Sequence, residues 1–121
     1  MLYTAQYRYT GRDRLDITVK GNNIAGKNYA PTWSMVNLYN HGGMTEEQYT
    51  ATYYELLLDR YIHMRDFKGD LSRLLEMVQD RDVTLVCFCP KDAFCHRHLL
   101  VKWLLHNWCP PYPNFYGGER Q

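Results

Sequence analysis

A cysteine, a histidine and an arginine follow one another at Cys95, His96 and Arg97, where a predicted helix begins. An apolar stretch from Val83 that predicts a strand comes before them, and a short loop joins the two elements. The N-terminus of a helix presents unpaired backbone N–H groups and the positive end of the helix dipole, which favour anions and thiolates. These residue types therefore predict a site that binds an anion beside a thiol able to react.

Each of the three residues has a functional and a structural interpretation. Cys95 is either a nucleophilic or redox-sensitive thiol or a buried cysteine in a packed turn. His96 is either a general base or anion donor or a side chain bonded to a neighbouring carbonyl. Arg97 either binds a phosphate or carboxylate through its planar fork or pairs with an acid such as Asp92 or Asp70. Both interpretations of each residue stay open at this point.

Two further cysteines in the predicted strand raise the question of a metal. Cys87 and Cys89 lie two residues apart, and with Cys95 and His96 they form a Cys-x-Cys-x5-Cys-His pattern. Structural zinc sites usually draw their cysteines from turns, whereas a buried strand presents its side chains to packing. We therefore expect neither a metal nor another cofactor, and we interpret Cys87 and Cys89 as small core residues. Cys89, nearer the end of the strand, is the one expected to contact a ligand.

Better-known catalytic motifs are missing from the sequence. No cysteine is followed six residues later by arginine, which excludes the Cys-x5-Arg loop of phosphatases and rhodaneses. The phosphate-binding P-loop, the dinucleotide-binding glycine pattern, the His-Glu-x-x-His zinc motif and the Gly-x-Ser-x-Gly hydrolase motif do not occur either. The sequence thus lacks the motifs that would support four common classes of protein: nucleoside-triphosphatases, dinucleotide-binding enzymes, zinc proteases and serine hydrolases.

Length and charge narrow the class of protein. The chain has 121 residues with a formal net charge of +1, so a single domain over 1–121 is expected and a long nucleic-acid footprint is not. Arg8, Arg12 and Arg14 are close enough for a small local basic patch. No apolar run reaches the length of a membrane span or a signal peptide, which predicts a cytoplasmic protein without membrane contact. Its four cysteines are then expected to be reduced thiols.

The spacing of apolar residues along the sequence predicts a chain that contains both strands and helices. The predicted elements are a strand over 2–9, an extended piece over 15–19, a loop over 20–30, helices over 31–40, 45–66, 70–79 and 95–106, a strand from Val83, and a short edge strand at Phe115 and Tyr116 before a loose tail over 117–121. The strand from Val83 is apolar on both faces, so it belongs at the centre of a sheet. We expect a compact, Rossmann-like, three-layer α/β domain with a small, mostly parallel sheet flanked by helices.

In such sheets ligands bind outside the carboxyl ends of the strands, and this edge predicts the remaining site residues. Asp16 is expected there as an acid or base beside the catalytic pair Cys95 and His96. The expected ligand-binding residues, besides Arg97, are Cys89, Lys91, Tyr7, Arg8, Pro31, Thr32 and Trp33. An aromatic cleft with an arginine would suit a nucleobase stacked above a phosphate or ribose. The tyrosines are equally well explained as ordinary core and rim residues.

The same strand and helix start carry a family resemblance. The segments that carry it are Leu85-Val86-Cys87-Phe88-Cys89, Phe94-Cys95-His96-Arg97-His98-Leu99-Leu100, Leu15-Asp16-Ile17-Thr18, Tyr29-Ala30-Pro31-Thr32-Trp33, and Thr45-Glu46-Glu47-Gln48-Tyr49 with Tyr53. Together they resemble a short branch of the domain-of-unknown-function 488 family. The resemblance implies a compact Rossmann-like domain in a bacterial or phage cytoplasm but no established activity. Longer members often place acidic residues just after the strand, where this chain has Cys89-Pro90-Lys91.

Three functions fit these observations. The first is an enzyme that acts on a nucleotide-like or other anionic small molecule held at Cys95, His96 and Arg97. The second is a protein that sequesters or senses such a ligand without converting it, which needs the same pocket but no activated group. The third is an interaction domain that uses the tyrosine-rich surface of the helix over 45–66 and could form a homo-oligomer.

Overall fold

Four parallel strands form the sheet of the described structure. The computed structural model describes residues 1–21, 23–88, 94–108 and 115–120. Within these ranges the strands are β1 (Leu2–Gln6), β2 (Arg14–Asp16), β3 (Val83–Cys87) and β4 (Tyr116–Arg120). Their order in the sheet is β2-β3-β1-β4, and each neighbouring pair runs parallel. The predicted compact α/β fold with a small parallel sheet is confirmed.

Five helices accompany the sheet in the described part of the chain. They are α1 (Ile24–Lys27), α2 (Trp33–Asn40), α3 (Glu46–His63), α4 (Phe67–Asp80) and α5 (His96–Asn107). The long amphipathic helix begins as predicted, because Thr45 and Gln48 form a capping box in which each side chain accepts a backbone N–H of the other residue. None of the helices in the described ranges is long and apolar enough to span a membrane.

The strand from Val83 lies at the centre of the core. All five residues of β3 are buried, as its apolar character on both faces predicts. Val83 and Leu85 pack into the main apolar cluster together with Leu2, the β1 partner of Val83, and the helices complete this cluster. On the opposite face Thr84 donates a hydrogen bond from Oγ1 to a carboxylate oxygen of Asp13, so the segment between β1 and β2 covers that face. Because β3 is covered on both faces, its carboxyl end is held firmly in place.

Several element boundaries differ from the predicted ones for local reasons. The first strand ends at Gln6, because the backbone N–H of Tyr9 turns back to the carbonyl of Gln6. The predicted loop over 20–30 contains the single-turn helix α1, which the Asn23 side chain caps by accepting from Gly26 N. Helix α4 starts three residues before Asp70, at Phe67, whose side chain is fully buried in the core.

The largest correction concerns the C-terminal residues. The predicted loose tail over 117–121 is wrong for 117–120, which belong to β4 alongside β1. Gly117 lies against the ring of Tyr3, and the Arg120 guanidinium lies 3.8 Å from the centre of that ring and 2.9 Å from Asp82. Paired glycines resemble a flexible tail in the sequence, but here the missing side chain of Gly117 lets the strand pack closely on an aromatic ring. Gln121 lies outside the described residues.

Two glycines give a prediction about how tightly α1 packs on β2. A Cβ atom at Gly26 would overlap the carbonyl oxygen of Asp16, whereas one at Gly69, exposed in α4, meets nothing within 4 Å. Gly26→Ala is therefore expected to lower the free energy of unfolding by about 1–3 kcal/mol through overpacking. Gly69→Ala is the matched control and should raise it by up to about 1 kcal/mol. Urea unfolding measures both, and equal effects of the two substitutions would contradict the close packing.

Candidate functional site

The predicted site lies at the carboxyl edge of the parallel sheet. The last residues of three strands meet there, since Gln6 pairs with Cys87 and Asp16 pairs with Val86. Helix α5 begins at the same edge. The sulfur atom of Cys95, the N-cap residue of α5, is in contact with the sulfur atom of Cys87 at the end of β3. Open parallel sheets bind their ligands at this edge. The fold therefore brings the predicted thiol and imidazole to the expected place.

A cleft of about 460 Å³ opens at this edge. Its walls come from the segment after β2, from α2 and the residue before its N-cap, from α3, and from both sides of the loop between β3 and α5; the main lining residues are Thr18, Val19, Lys20, Pro31, Trp33, Val36, Asn37, Tyr39, Tyr49, Phe88, Phe94, Cys95 and His96. The buried Cys95 and His96 form its floor, while Trp33 and Phe88 are about half exposed at its mouth. The cleft is large enough for a small-molecule ligand.

The orientation of His96 follows from its hydrogen bond. Its Nε2 lies 2.8 Å from the carbonyl oxygen of Ile17, and since a carbonyl can only accept, Nε2 carries the proton. Burial lowers the pKa of His96 to about 4, so the ring is neutral at pH 7. The second nitrogen, Nδ1, therefore holds a lone pair, and it lies 3.7 Å from the sulfur of Cys95. His96 thus presents a proton acceptor to a thiol.

The two buried cysteines of the site are neighbours. Their sulfur atoms are in contact, and the Cα atoms of Cys87 and Cys95 are 7.9 Å apart. Disulfides usually hold their Cα atoms about 4.4–6.8 Å apart, and a pair beyond about 7 Å cannot be bridged without movement of the backbone. The backbone spacing therefore fits two adjacent thiols better than a disulfide.

The cluster of Cys87, Cys95 and His96 offers two kinds of chemistry. As a free thiol, Cys95 could attack an electrophile with Nδ1 of His96 as the neighbouring proton acceptor, although the low pKa of His96 makes this nitrogen a weak base. As a set, the three residues could hold a soft metal ion, because one ligand atom from each lies within 4.8 Å of those from the other two. The sequence predicts that Cys87 is a core residue, and Cys87 is buried. Its contact with Cys95 adds it to the site.

Arg97 lies beside this cluster but not on the wall of the cleft. Its side chain has no exposed surface and forms a two-pronged ion pair with Glu119 of β4, through Nε at 3.2 Å and Nη2 at 2.7 Å. Its Nη1 donates to the sulfur of Cys87 at 3.0 Å. The structural interpretation of Arg97, an ion pair, is therefore the one that the contacts show, although its partner is neither of the two predicted acids. Of those, Asp70 pairs with Arg73, and Asp92 lies outside the described residues.

Asp16 ends β2 next to the cleft but is engaged locally. Its Oδ1 accepts hydrogen bonds from the backbone N–H of Thr18 at 2.9 Å and from the Thr18 hydroxyl at 2.6 Å. This arrangement holds in place the start of the segment Thr18–Lys20 that forms one wall of the cleft. Its charge also acts on the pKa of His96, in the raising direction and against the stronger effect of burial. The contacts thus give Asp16 a positioning role, and acid or base chemistry there stays a prediction.

Of the remaining predicted ligand-binding residues, two line the cleft, two support its walls, one lies away from it and two lie outside the described residues. Pro31 and Trp33 line the cleft, and Thr32 between them caps α2 by accepting from Met35 N at 3.2 Å. Tyr7 stacks on Phe88 with 4.0 Å between ring centres and so supports that wall from behind. Arg8 is exposed and is not among the lining residues, and Cys89 and Lys91 lie outside the described residues.

Sequence reasoning missed part of the lining. Lys20 and Val19 line the cleft because they follow the carboxyl end of β2, a position that the parallel sheet itself could have indicated. Phe88 and Phe94 flank the loop between β3 and α5, but an aromatic residue there has no distinctive sequence signal. Glu119 could not be found, because the pairing of β4 with β1 brings it to Arg97 from 22 residues away.

The fold and the site together define a class of protein: a parallel α/β domain whose cleft at the carboxyl edge has a cysteine and a histidine as its floor. A family model described as the active DUF488-N3 subclade matches residues 3–108. The chain therefore belongs to the DUF488 family, as the Cys-His-Arg stretch and the upstream segments predict. No curated protein and no solved structure matches the chain.

Proposed function

We propose that the protein binds a small molecule with a flat ring system and an anionic group, as nucleotides have, in the cleft at the carboxyl edge. The observation that carries this proposal is the aromatic lining. Trp33 from α2, Phe88 after β3 and Phe94 before α5 come from separate segments, yet all three line one cleft. Stacking of one base on an aromatic side chain contributes about 1–3 kcal/mol to the binding free energy.

The anionic part of the ligand is assigned to the mouth of the cleft rather than to Arg97. The ammonium group of Lys20 lies 5.6 Å from the ring centre of Trp33, and both residues line the cleft. A phosphate held by Lys20 would leave an attached base free to stack on the indole. Arg97 supports the site indirectly, because it anchors the strand end at Cys87 and the start of α5 to β4.

Turnover of the ligand is the second part of the proposal. The floor of the cleft holds the sulfur of Cys95 beside an imidazole nitrogen with a free lone pair. This pair would act directly on the bound molecule or would hold a metal ion that polarises it. A protein that only sequesters its ligand would not need an acceptor nitrogen aimed at a buried thiol.

The alternative of an interaction domain requires an exposed tyrosine-rich surface on α3. Among the tyrosines of α3, Tyr49 and Tyr53 are buried, and Tyr54 and Tyr61 are half-buried. The Tyr53 hydroxyl donates to the carbonyl of Tyr29 inside the core. The tyrosine side chains of α3 therefore pack within the domain.

Binding is tested by thermal-shift measurements followed by calorimetric titration with nucleoside monophosphates, nucleotide sugars and inorganic phosphate. A ligand that binds only the folded protein raises its melting temperature. Trp33→Ala is expected to weaken binding of the best ligand by about tenfold or more, because it removes one stacking surface. Leu38→Ala, an exposed change on the same helix outside the cleft, should bind as the wild type does.

Two outcomes would contradict the proposed binding. One is that no nucleotide raises the melting temperature of the wild type. The other is that Trp33→Ala and Leu38→Ala bind the ligand equally well. Product analysis after incubation with the bound ligand then separates an enzyme from a protein that only binds.

A further inference from the structure

We infer that Cys87, Cys95 and His96 form a binding site for a divalent transition-metal ion, with Zn²⁺ as the expected occupant. Two thiolates and one imidazole nitrogen are ligands that this ion prefers. The three residues come from the end of β3 and the start of α5, and all three are buried. The site lies in the floor of the proposed ligand cleft, but the inference does not require that a small molecule binds there.

One pair of ligand atoms, the Cys95 sulfur and His96 Nδ1, already has the spacing of tetrahedral coordination, whereas the sulfur atoms of Cys87 and Cys95 lie closer than this and would have to part around an ion. Zn–S bonds of about 2.3 Å and Zn–N bonds of about 2.0 Å place neighbouring ligand atoms roughly 3.5–3.8 Å apart. The sulfur of Cys95 and Nδ1 of His96 are 3.7 Å apart, and all three ligand atoms lie within 4.8 Å of one another. The Cα separation of 7.9 Å between Cys87 and Cys95 leaves room for the two sulfur atoms to part around an ion by side-chain rotation.

The groups around the cluster are those that a metal site needs. Histidine ligands usually donate their other ring N–H to a carbonyl or carboxylate, which fixes the tautomer and the ring orientation. His96 does this through Nε2 and the carbonyl of Ile17 at 2.8 Å, which leaves Nδ1 for the metal. The sulfur of Cys87 likewise accepts a hydrogen bond from Arg97 at 3.0 Å, a contact that stabilises a thiolate.

The local charges also balance with a divalent ion present. Two thiolates and the carboxylate of Glu119 together oppose the charge of the metal and the guanidinium of Arg97. Buried charges are tolerated in a protein interior when they are compensated in this way. The Arg97–Glu119 pair therefore serves as a charged support for the cluster as well as an anchor for β4.

The position of the three ligands indicates which side of the ion would keep an open coordination position. Three protein ligands leave a fourth coordination position, as in catalytic rather than structural zinc sites. Cys95 and His96 line the cleft, so this position faces the space proposed for the ligand. A polar group of the bound molecule, or a water molecule, could occupy it.

The experiment is a titration of the reduced, metal-free full chain with Co²⁺, followed by displacement with Zn²⁺. We expect thiolate-to-cobalt charge-transfer bands and the visible bands of tetrahedral cobalt to saturate at about one equivalent and to vanish on addition of zinc. Cys87→Ser and Cys95→Ser should each lose one thiolate's share of the charge-transfer band and bind at least about tenfold more weakly. His96→Gln should weaken binding as well but keep the charge-transfer band.

The control is His63→Gln, which changes an exposed histidine at the end of α3 and should bind cobalt as the wild type does. Circular dichroism shows whether each variant is folded, and the wild-type spectrum tests the site without any variant. A folded, reduced wild type without charge-transfer bands would overturn the inference. So would stoichiometric binding that survives both cysteine substitutions. Neither result depends on nucleotide binding, so the metal site and the proposed function can fail separately.

Discussion

Arg97→Met is expected to lower the free energy of unfolding by about 3–5 kcal/mol, because it leaves a carboxylate without the partner of a buried ion pair. The guanidinium has no exposed surface, and it bonds Glu119 through two nitrogens and the sulfur of Cys87 through the third. Its removal disconnects β4 and the end of β3 from α5 at once. Equilibrium unfolding in urea, with circular dichroism as the signal, measures the change.

Arg73→Met is the matched control for this substitution. Arg73 also forms an ion pair, with Asp70 three residues earlier in α4, but its side chain is 70% exposed. Water and salt screen such a pair, so the control should unfold at nearly the same urea concentration as the wild type. If Arg97→Met were as stable as Arg73→Met, the buried pair would not hold the sheet and α5 together.

Glu119→Gln is expected to cost about 3 kcal/mol at neutral pH and to weaken the response of the protein to acid. Burial acts to raise the pKa of Glu119, but the hydrogen bonds from Arg97 and Thr4 and the charge of Arg97 outweigh it and hold the pKa below its ordinary value. The carboxylate therefore contributes stability that is fully present above the unfolded-state pKa of about 4.3 and is lost as the pH falls through the lower folded-state pKa.

The measurement is the free energy of unfolding of wild type and Glu119→Gln from pH 7 down to pH 3. The difference between the two should be largest above about pH 5 and should shrink below about pH 4, because the wild type alone loses this carboxylate. Glu76→Gln, at an exposed position on α4, should follow the wild-type profile. A constant difference between Glu119→Gln and wild type across this range would show that the ionised carboxylate is not what stabilises the fold.

The parts of the site that are local in sequence could be predicted. An apolar strand, a loop and a helix start suffice to place Cys95 and His96 at the carboxyl edge, because parallel sheets leave few other arrangements. The alternative of a carbonyl bond for His96 also has a local basis, since a buried imidazole nitrogen needs a partner. Its actual partner, Ile17, is 79 residues away, and only the pairing of β2 with β3 brings it there.

The parts of the site that depend on long-range packing could not be predicted. Arg97 looks like a ligand-binding residue at a helix start, and its burial against Glu119 appears only once β4 is in place. The expectation of no metal stays a prediction. The sequence pattern already contains Cys87, Cys95 and His96, but only the fold brings the last residue of β3 into contact with the N-cap of α5.

The cleft and the cysteine cluster together give one account of the protein. The mouth of the cleft is aromatic and carries Lys20, which suits the ring and the anionic group of a nucleotide-like ligand. The floor carries Cys95 and His96, which suit coordination of a metal or attack on the ligand. Arg97 and Glu119 hold the floor in place from the side of β4.

The most direct test of this account uses the three tryptophans of the chain as probes. Trp33 is 49% exposed at the mouth of the cleft, whereas Trp103 is buried and packs against Trp108 with 4.5 Å between ring centres. In ¹H–¹⁵N NMR spectra, titration with the ligand that most raises the melting temperature should shift the indole N–H signal of Trp33 and leave those of Trp103 and Trp108 in place. A saturating ligand that leaves the Trp33 signal unmoved would contradict the proposal that this cleft is the binding site.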